Sequence, residues 1–276
     1  MIDGNTLLIA HVGYPTTTFK SPGIYNPWFA SVGCNAVVVP MAVQQDDFEP
    51  VLAALKRLRN IRGALITMPH KRAAVDLVDH VSVAAQIAGA CNAIRFEADG
   101  TTTGEQFDGE GFVRGVTSKN RTIRGAHALV VGAGGVGSAI AASLAAAGVG
   151  SIALYDPDQS AMDVLAARLT RHYPTLAVVV GDRDPAGRDI VVNASPLGMN
   201  DGDPLPLDVT RIAASSFVGE VVLKAQITPF LAAARARGCQ YQVGTDMLFE
   251  QIPAYLEFFG LPVASPDTLR KLATLG

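Results

Sequence analysis

Apolar residues in this chain fall into short runs, and between the runs they recur at helical spacing. Leu7 to Val12, the Val-rich Ala36 to Pro40, and Gly63 to Thr67 predict strands. Asn26 to Val32 predicts a short helix after Pro22 and Gly23. Asp47 to Leu58 predicts an amphipathic helix, with Phe48, Val51, Leu52, Leu55 and Leu58 on one face. Lys71 to Val78 opens another helix after Pro69. Residues 97–104 are a turn-rich break, and a domain boundary is expected just after them. Beyond it, Ala128 to Val131 predicts a buried strand, followed by glycines and an Ala-rich helix to Ala147. The alternation continues with a strand at Ser151 to Tyr155, a helix at Ser160 to Tyr173, and strands at Ala177 to Val180, Asp189 to Asn193, Phe217 to Val222 and Gln240 to Val243. Asp246 to Gly260 is helical with one apolar face, and is expected to pack back on the first domain. Such alternation predicts an α/β fold with largely parallel sheets.

Composition narrows the function classes. Of 276 residues, 49% are hydrophobic and 17% charged, enough apolar surface for a sizeable core and too much for disorder. Net charge is −3 and no Lys/Arg run stands out, so neither nucleic acid nor a membrane is expected as a partner. Cys34, Cys91 and Cys239 are widely spaced, which predicts no metal site and a reduced, cytoplasmic protein. Met1 to Ala10 contains Asp3 and lacks a basic region, so no signal peptide is expected. Ala139 to Val149, the longest apolar stretch, is too short to span a bilayer. A monomer or homodimer is expected.

The strongest local signal is Leu129-Val130-Val131-Gly132-Ala133-Gly134-Gly135-Val136-Gly137, which carries G-x-G-x-x-G between a predicted strand and a predicted helix. In that context the motif has a mechanism. Gly132 permits the tight turn, Gly134 lets backbone approach a pyrophosphate, and Gly137 lets helix and strand pack closely. These residues predict a doubly wound Rossmann domain over 105–244. The other domain, 1–104 plus 245–276, would bind substrate and carry the catalytic residues. Asp156 ends the next strand, where a carboxylate accepts the ribose hydroxyls. No Arg or Lys lies between Gly148 and Ala167 to receive a 2′-phosphate. NAD is therefore expected over NADP. The competing reading is that Asp156 only caps the following helix.

Oxidising an alcohol needs a group that takes the hydroxyl proton while hydride leaves for the nicotinamide. Lys71 stands at a strand end before a helix, where burial would ease loss of its proton. Asp108 is a possible partner.

With these residues in view, the chain resembles the shikimate dehydrogenase family along nearly its whole length. The run Gly13-Tyr14-Pro15-Thr16-Thr17-Thr18-Phe19-Lys20-Ser21-Pro22 is similar to Gly-x-Pro-x-x-His-Ser-x-Ser-Pro. Leu65 to Lys71 is similar to Asn-Val-Thr-x-Pro-x-Lys. Gly89 to Ala93, Gly104 to Asp108, Asn193 to Met199, and Gly244, Met247, Leu248 and Gln251 complete six ordered matches. The resemblance implies that Lys71 and Asp108 flank the reacting hydroxyl. It also implies that Asn92, Gln251, Thr67 and Ser21 contact a cyclic hydroxy acid such as shikimate or quinate. Asn193, Ser195, Leu197, Met199 and Gly244 would lie along the nicotinamide half of NAD.

The departures cluster around the substrate. Phe19 stands for the family's first serine, Thr18 for its histidine, Leu65 for its asparagine, and Gln106-Phe107 for Asn-Thr. Leu223 stands for a tyrosine, and Asp156-Pro157-Asp158 for the Asn-Arg-Thr cofactor signature. Each lost donor leaves a substrate group unpaired, at about 1–3 kcal/mol. An altered pocket is therefore expected, with Leu65 and Phe107 making the neighbourhood of Phe19 more apolar. A second reading is a dinucleotide-binding sensor with little catalysis. Lys71, Asp108 and Asn92 together argue against it, and the first-domain motifs argue against other Rossmann chemistries.

Overall fold

The apolar runs become two six-stranded sheets, in a computed structural model that describes residues 2–274. The chain divides into two compact units. One runs to Phe107 and resumes at Ile252, and the other is Asp108–Gln251. The first contains, in order, β1 (Leu7–Gly13), α1 (Ser21–Ser31), β2 (Ala36–Ala42), α2 (Phe48–Leu55), β3 (Ile61–Ile66), α3 (Ala73–Asp76), β4 (His80–Val81), α4 (Val83–Ala88), β5 (Ala93–Phe96) and β6 (Thr102–Glu105). Its sheet order is β2-β1-β3-β5-β6-β4. β1 runs parallel to β2 and β3, β4 parallel to β6, and β5 antiparallel to β3 and β6. Side chains alternate between faces. Ala10, Val12, Ala64 and Ile66 therefore share a core with Phe48, Leu52 and Leu55 of α2.

The second unit contains α5 (Asp108–Ser118), β7 (His127–Val131), α6 (Gly135–Ala146), β8 (Ser151–Tyr155), α7 (Gln159–His172), β9 (Ala177–Val180), β10 (Ile190–Asn193), β11 (Phe217–Glu220), α8 (Pro229–Ala236) and β12 (Gln240–Gln242). α9 (Gly244–Phe259) begins in this unit and ends in the first, and α10 (Pro266–Leu272) follows. The sheet order is β12-β11-β10-β7-β8-β9, all parallel. β7 and β10 are neighbours although the chain visits β8 and β9 between them. The winding reverses there, and doubly wound sheets bind ligands at the carboxyl ends of such strands.

Several elements differ from the sequence expectation, for local reasons. α1 begins at Ser21 rather than Asn26, because Pro22 sits in its first turn, where a missing N–H costs nothing. α2 ends at Leu55, and Leu58 is half exposed. The expected helix from Lys71 is one turn long, and Lys71 precedes it. The break at 97–104 is a hairpin. Its turn is closed by Glu97 N–H to the Thr101 carbonyl at 2.9 Å, and Thr102–Glu105 then pairs with β5. The units divide after Phe107 and Gln251 rather than after Gly104 and Gly244. α9 runs unbroken across the change, although Pro253 lies inside it just past Gln251. Its Asp246 pairs with Lys119 in the second unit at 3.1 Å. Farther along, the Phe259 and Phe258 carbonyls accept from Arg62 and Arg95 of the first, both at 2.8 Å.

Candidate active site

His11 in β1 lies opposite Leu65 in β3. Both face away from the α2 core, since their neighbours Ala10 and Ala64 face into it. The Phe19 ring stacks on His11, with centroids 3.9 Å apart and planes 24° apart. A Cβ on Gly13 would lie 2.4 Å from Thr67 Cγ2 and 2.9 Å from Phe19 Cζ, so these two side chains meet at Gly13. His11 is 7% exposed, and its Nδ1 is buried without a hydrogen-bond partner. Burial, and then the charge of Lys71, push the imidazole down to about 4. It is therefore uncharged at neutral pH, with Lys71 close enough to act on it.

Backbone pairing sets Asn92 beside Lys71. The Lys71 carbonyl accepts the Cys91 N–H at 2.8 Å, and the Asn92 carbonyl accepts from Ile66 N–H at 2.8 Å. Asn92 Oδ1 accepts the Phe107 N–H at 2.9 Å, which holds the chain one residue before Asp108. Asn92 Nδ2 is buried with no partner, a donor waiting for an acceptor. His11, Phe19, Thr67, Lys71 and Asn92 are thus held together in the first unit. Ser21 opens α1 and makes no side-chain hydrogen bond among the described residues. Lys20 is exposed. Phe107 does not extend the Phe19 surface. It packs on Tyr255 and Phe258, at 4.6 and 5.5 Å between centroids, because α9 supplies aromatic partners.

His11 makes the fold acid-sensitive. Unfolded, its imidazole titrates near its ordinary value of about 6.5. The folded state binds that proton less tightly, so stability is full above that value and declines as pH falls towards about 4. Thermal melts across this window should show a loss that is smaller in His11→Phe. An identical loss in both would contradict the assignment.

In the second unit, the loop after β7 is built for close backbone approach. Gly132 has φ +108°, and a Cβ there would lie 2.7 Å from the Ala194 carbonyl. Gly134 and Gly135 have nothing within 4 Å of where a Cβ would stand. α6 begins at Gly135 with no side-chain cap, so its first N–H groups are available to an anion. Val136 is half-buried and Gly137 buried in its first turn. Asp156 Oδ2 accepts the Ala133 N–H at 2.8 Å, and Oδ1 accepts the Asp158 N–H at 2.9 Å. Asp158, not Asp156, caps α7. Each Asp156 oxygen retains acceptor capacity for a ribose hydroxyl. These features fit a dinucleotide.

The absence of a cation between Gly148 and Ala167 does not hold in space. Arg183, from the loop after β9, lies 4.9 Å from the centre of the Tyr155 ring. Sequence distance hid it, because β9 is the parallel neighbour of β8. Its flanking acids are engaged elsewhere, Asp182 with Arg188 and Asp184 with Arg211.

The loop after β10 closes on a buried acid. Asn193 Nδ2 donates to Glu220 Oε1 and to the Leu197 carbonyl, both at 2.9 Å. Asn193 Oδ1 accepts the Ser195 hydroxyl at 2.6 Å. The Thr228 hydroxyl donates to Glu220 Oε2. Burial raises the pKa of Glu220. Met199 is 47% exposed, and Gly244 begins α9 against the Val222 carbonyl. Asp108 is buried at the start of α5. A Cβ on Gly111 of the same helix would lie 2.7 Å from Gln251 Cβ, so α5 and α9 touch there. Gln251 Oε1 is buried and unpartnered. Sequence reading missed His11, Arg183 and Glu220. A lone acid inside the apolar run Phe217 to Val222 was the one visible signal.

Residues 12–94 match the family model described as the shikimate dehydrogenase substrate binding domain, and residues 112–168 match the ThiF family. A shikimate dehydrogenase (NADP(+)) from Rhodospirillum rubrum is 34% identical, over all of this chain and 99% of the relative. The chain belongs to the shikimate dehydrogenase family. Its fold follows that of family structures. Shikimate 5-dehydrogenase from Listeria monocytogenes, in complex with shikimate and NAD, superposes with a TM-score of 0.91 at 26% identity, covering 98% of this chain and 97% of that one. Quinate dehydrogenase from Corynebacterium glutamicum, in complex with NAD, gives 0.87 at 30%, covering 97% and 98%. The chain is thus an NAD(P)-dependent oxidoreductase of this family, and the sensor reading has no support among these relatives. Among the described residues, no group of three His, Cys, Asp or Glu could hold a metal ion. No helix there is long and apolar enough to cross a membrane.

Proposed function

We propose that the chain oxidises a ring hydroxyl of a cyclic hydroxy acid, shikimate, quinate or an analogue, with NAD as the preferred acceptor. The observation that carries this is the grouping of Lys71, Thr67 and Asn92, with the Asn92 amide left without a partner. The first unit binds the substrate and the second binds the dinucleotide. Asn92 Nδ2 donates to a substrate oxygen, Thr67 and Ser21 position the ring, and Gln251 accepts from a hydroxyl. Lys71, partnered with Asp108, takes the proton of the reacting hydroxyl. When bound, NAD supplies the hydride acceptor. The Gly132–Gly137 loop would hold its pyrophosphate, Asp156 its ribose, and Asn193, Ser195, Leu197, Met199 and Gly244 its nicotinamide side.

The NAD preference rests on Asp156. A carboxylate accepts from the ribose hydroxyls and repels a 2′-phosphate. Arg183 works against that preference, and Asp156 is closer to the loop, bonded to Ala133 itself. Steady-state kinetics with both cofactors should favour NAD by about 10-fold or more in kcat/KM, roughly 1.4 kcal/mol. Asp156→Ser with Pro157→Arg should move the preference towards NADP. Equal or better use of NADP by the parent would overturn this assignment, and relatives such as the Rhodospirillum rubrum enzyme are named for NADP(+).

A further inference from the structure

We propose that His11 is a specificity-determining residue that makes one uncharged hydrogen bond to a ring substituent of the substrate, in a corner that disfavours a carboxylate. The proposal rests on the dehydrogenase reading above and narrows its substrate.

The first support is an unmet need. His11 lies beside Leu65 and under Phe19, and neither side chain can bond to it. Its Nδ1 is buried with no partner. Unpaired buried polar atoms destabilise a fold, and an apolar side chain would fill this strand position at lower cost. A ligand oxygen would supply the missing partner.

The second support is location. Phe19 meets Thr67 at Gly13, and the charge of Lys71 acts on the imidazole. His11 therefore stands among the residues assigned above to the substrate.

The third support is chemical character. Phe19 occupies the place where the family resemblance puts a hydroxyl, and it brings volume without a donor. Lys20 beside it is exposed. Lys71 is assigned to the reacting hydroxyl. A buried imidazole that stays uncharged at neutral pH can give or accept a hydrogen bond but cannot neutralise an anion. A carboxylate placed there would have to share the charge of Lys71, already assigned to the reacting hydroxyl. A hydroxyl, carbonyl or amide would not.

The test compares shikimate with its primary carboxamide, which has the same shape and no charge, using NAD. The parent should use the amide with a kcat/KM about 10-fold or more above that for the acid. His11→Phe keeps a stacked ring and removes the nitrogens. It should raise KM for the amide about 10-fold while kcat stays within about 2-fold. His11→Asn keeps a donor and an acceptor and should stay within about 3-fold of the parent. His11→Leu serves as the nitrogen-free variant if His11→Phe does not fold. Three results would overturn the proposal: equal or better use of the acid, an amide KM unmoved in the nitrogen-free variant, or no use of either compound by the parent. Lys71→Ala, run alongside, separates the two levels. Turnover that survives it shows that another group takes the proton, whereas no NADH from the parent with any cyclic hydroxy acid or uncharged analogue sinks the dehydrogenase reading. Turnover lost there, with KM unmoved in His11→Phe, sinks only the role of His11.

Discussion

Lys71→Ala should lower kcat by about 10²–10⁴-fold, the usual worth of general acid–base catalysis, and leave the Kd for NAD unchanged within about 2-fold. The two halves of this result have separate physical origins. Lys71 lies in the first unit, in the turn before α3, with its backbone tied to Cys91. The loop expected to hold the pyrophosphate lies in the second unit, between β7 and α6. Removing the side-chain amine therefore removes the proposed proton acceptor without touching that loop. Rapid-reaction kinetics and NADH fluorescence titration would check both halves. A rate within a few-fold of the parent would show that another group takes the proton. A raised KM with kcat unchanged would reduce Lys71 to a binding residue.

Gly137→Ala should weaken NAD binding about 10- to 100-fold, equivalent to the roughly 1–3 kcal/mol that overpacking costs. Its Cβ would lie 1.9 Å from the Gly132 carbonyl oxygen and 2.8 Å from the Gly132 carbonyl carbon. Both are backbone atoms, so no rotamer relieves the overlap, and either α6 or the loop must shift. Gly134→Ala provides the contrast. Nothing stands within 4 Å of its Cβ, so Tm should hold while the added methyl impedes approach of the pyrophosphate. Calorimetry and equilibrium titration of both variants separate packing from binding. Parent-like NAD affinity in Gly137→Ala would show that the close packing of helix on loop does not shape the site.

The second unit was the more legible in sequence. β8 and β9 occupy the residues their apolar runs marked, Ser151–Tyr155 and Ala177–Val180. β8 is buried along its middle and leaves a continuous apolar signature, whereas β9 is the partly exposed edge strand and was marked by its three consecutive valines. Short elements were lost. α4 and α8 are defined by caps, Ser82 accepting from Ala85 N–H and Thr228 from Leu231 N–H, rather than by a long apolar period. β6 was hidden because its threonines adjoin a true turn. Candidate residues divided along the same line. The glycine loop and Asp156 could be argued from local pattern. Lys71 and Asn92 became specific only through the family resemblance, since a lone lysine or asparagine has many uses. His11 and Arg183 needed strand pairing. The first requires knowing which face of β1 meets Leu65, and the second that β9 lies beside β8.

The central claim is ring-hydroxyl oxidation driven by Lys71, and NADH formation across a panel of cyclic hydroxy acids and their uncharged analogues tests it most directly. The account predicts that the parent protein with NAD produces NADH from at least one of them, and that Lys71→Ala, still binding NAD, produces about 10²-fold less or lower. NAD binding without NADH from any compound, or equal NADH from the parent and Lys71→Ala, would contradict it.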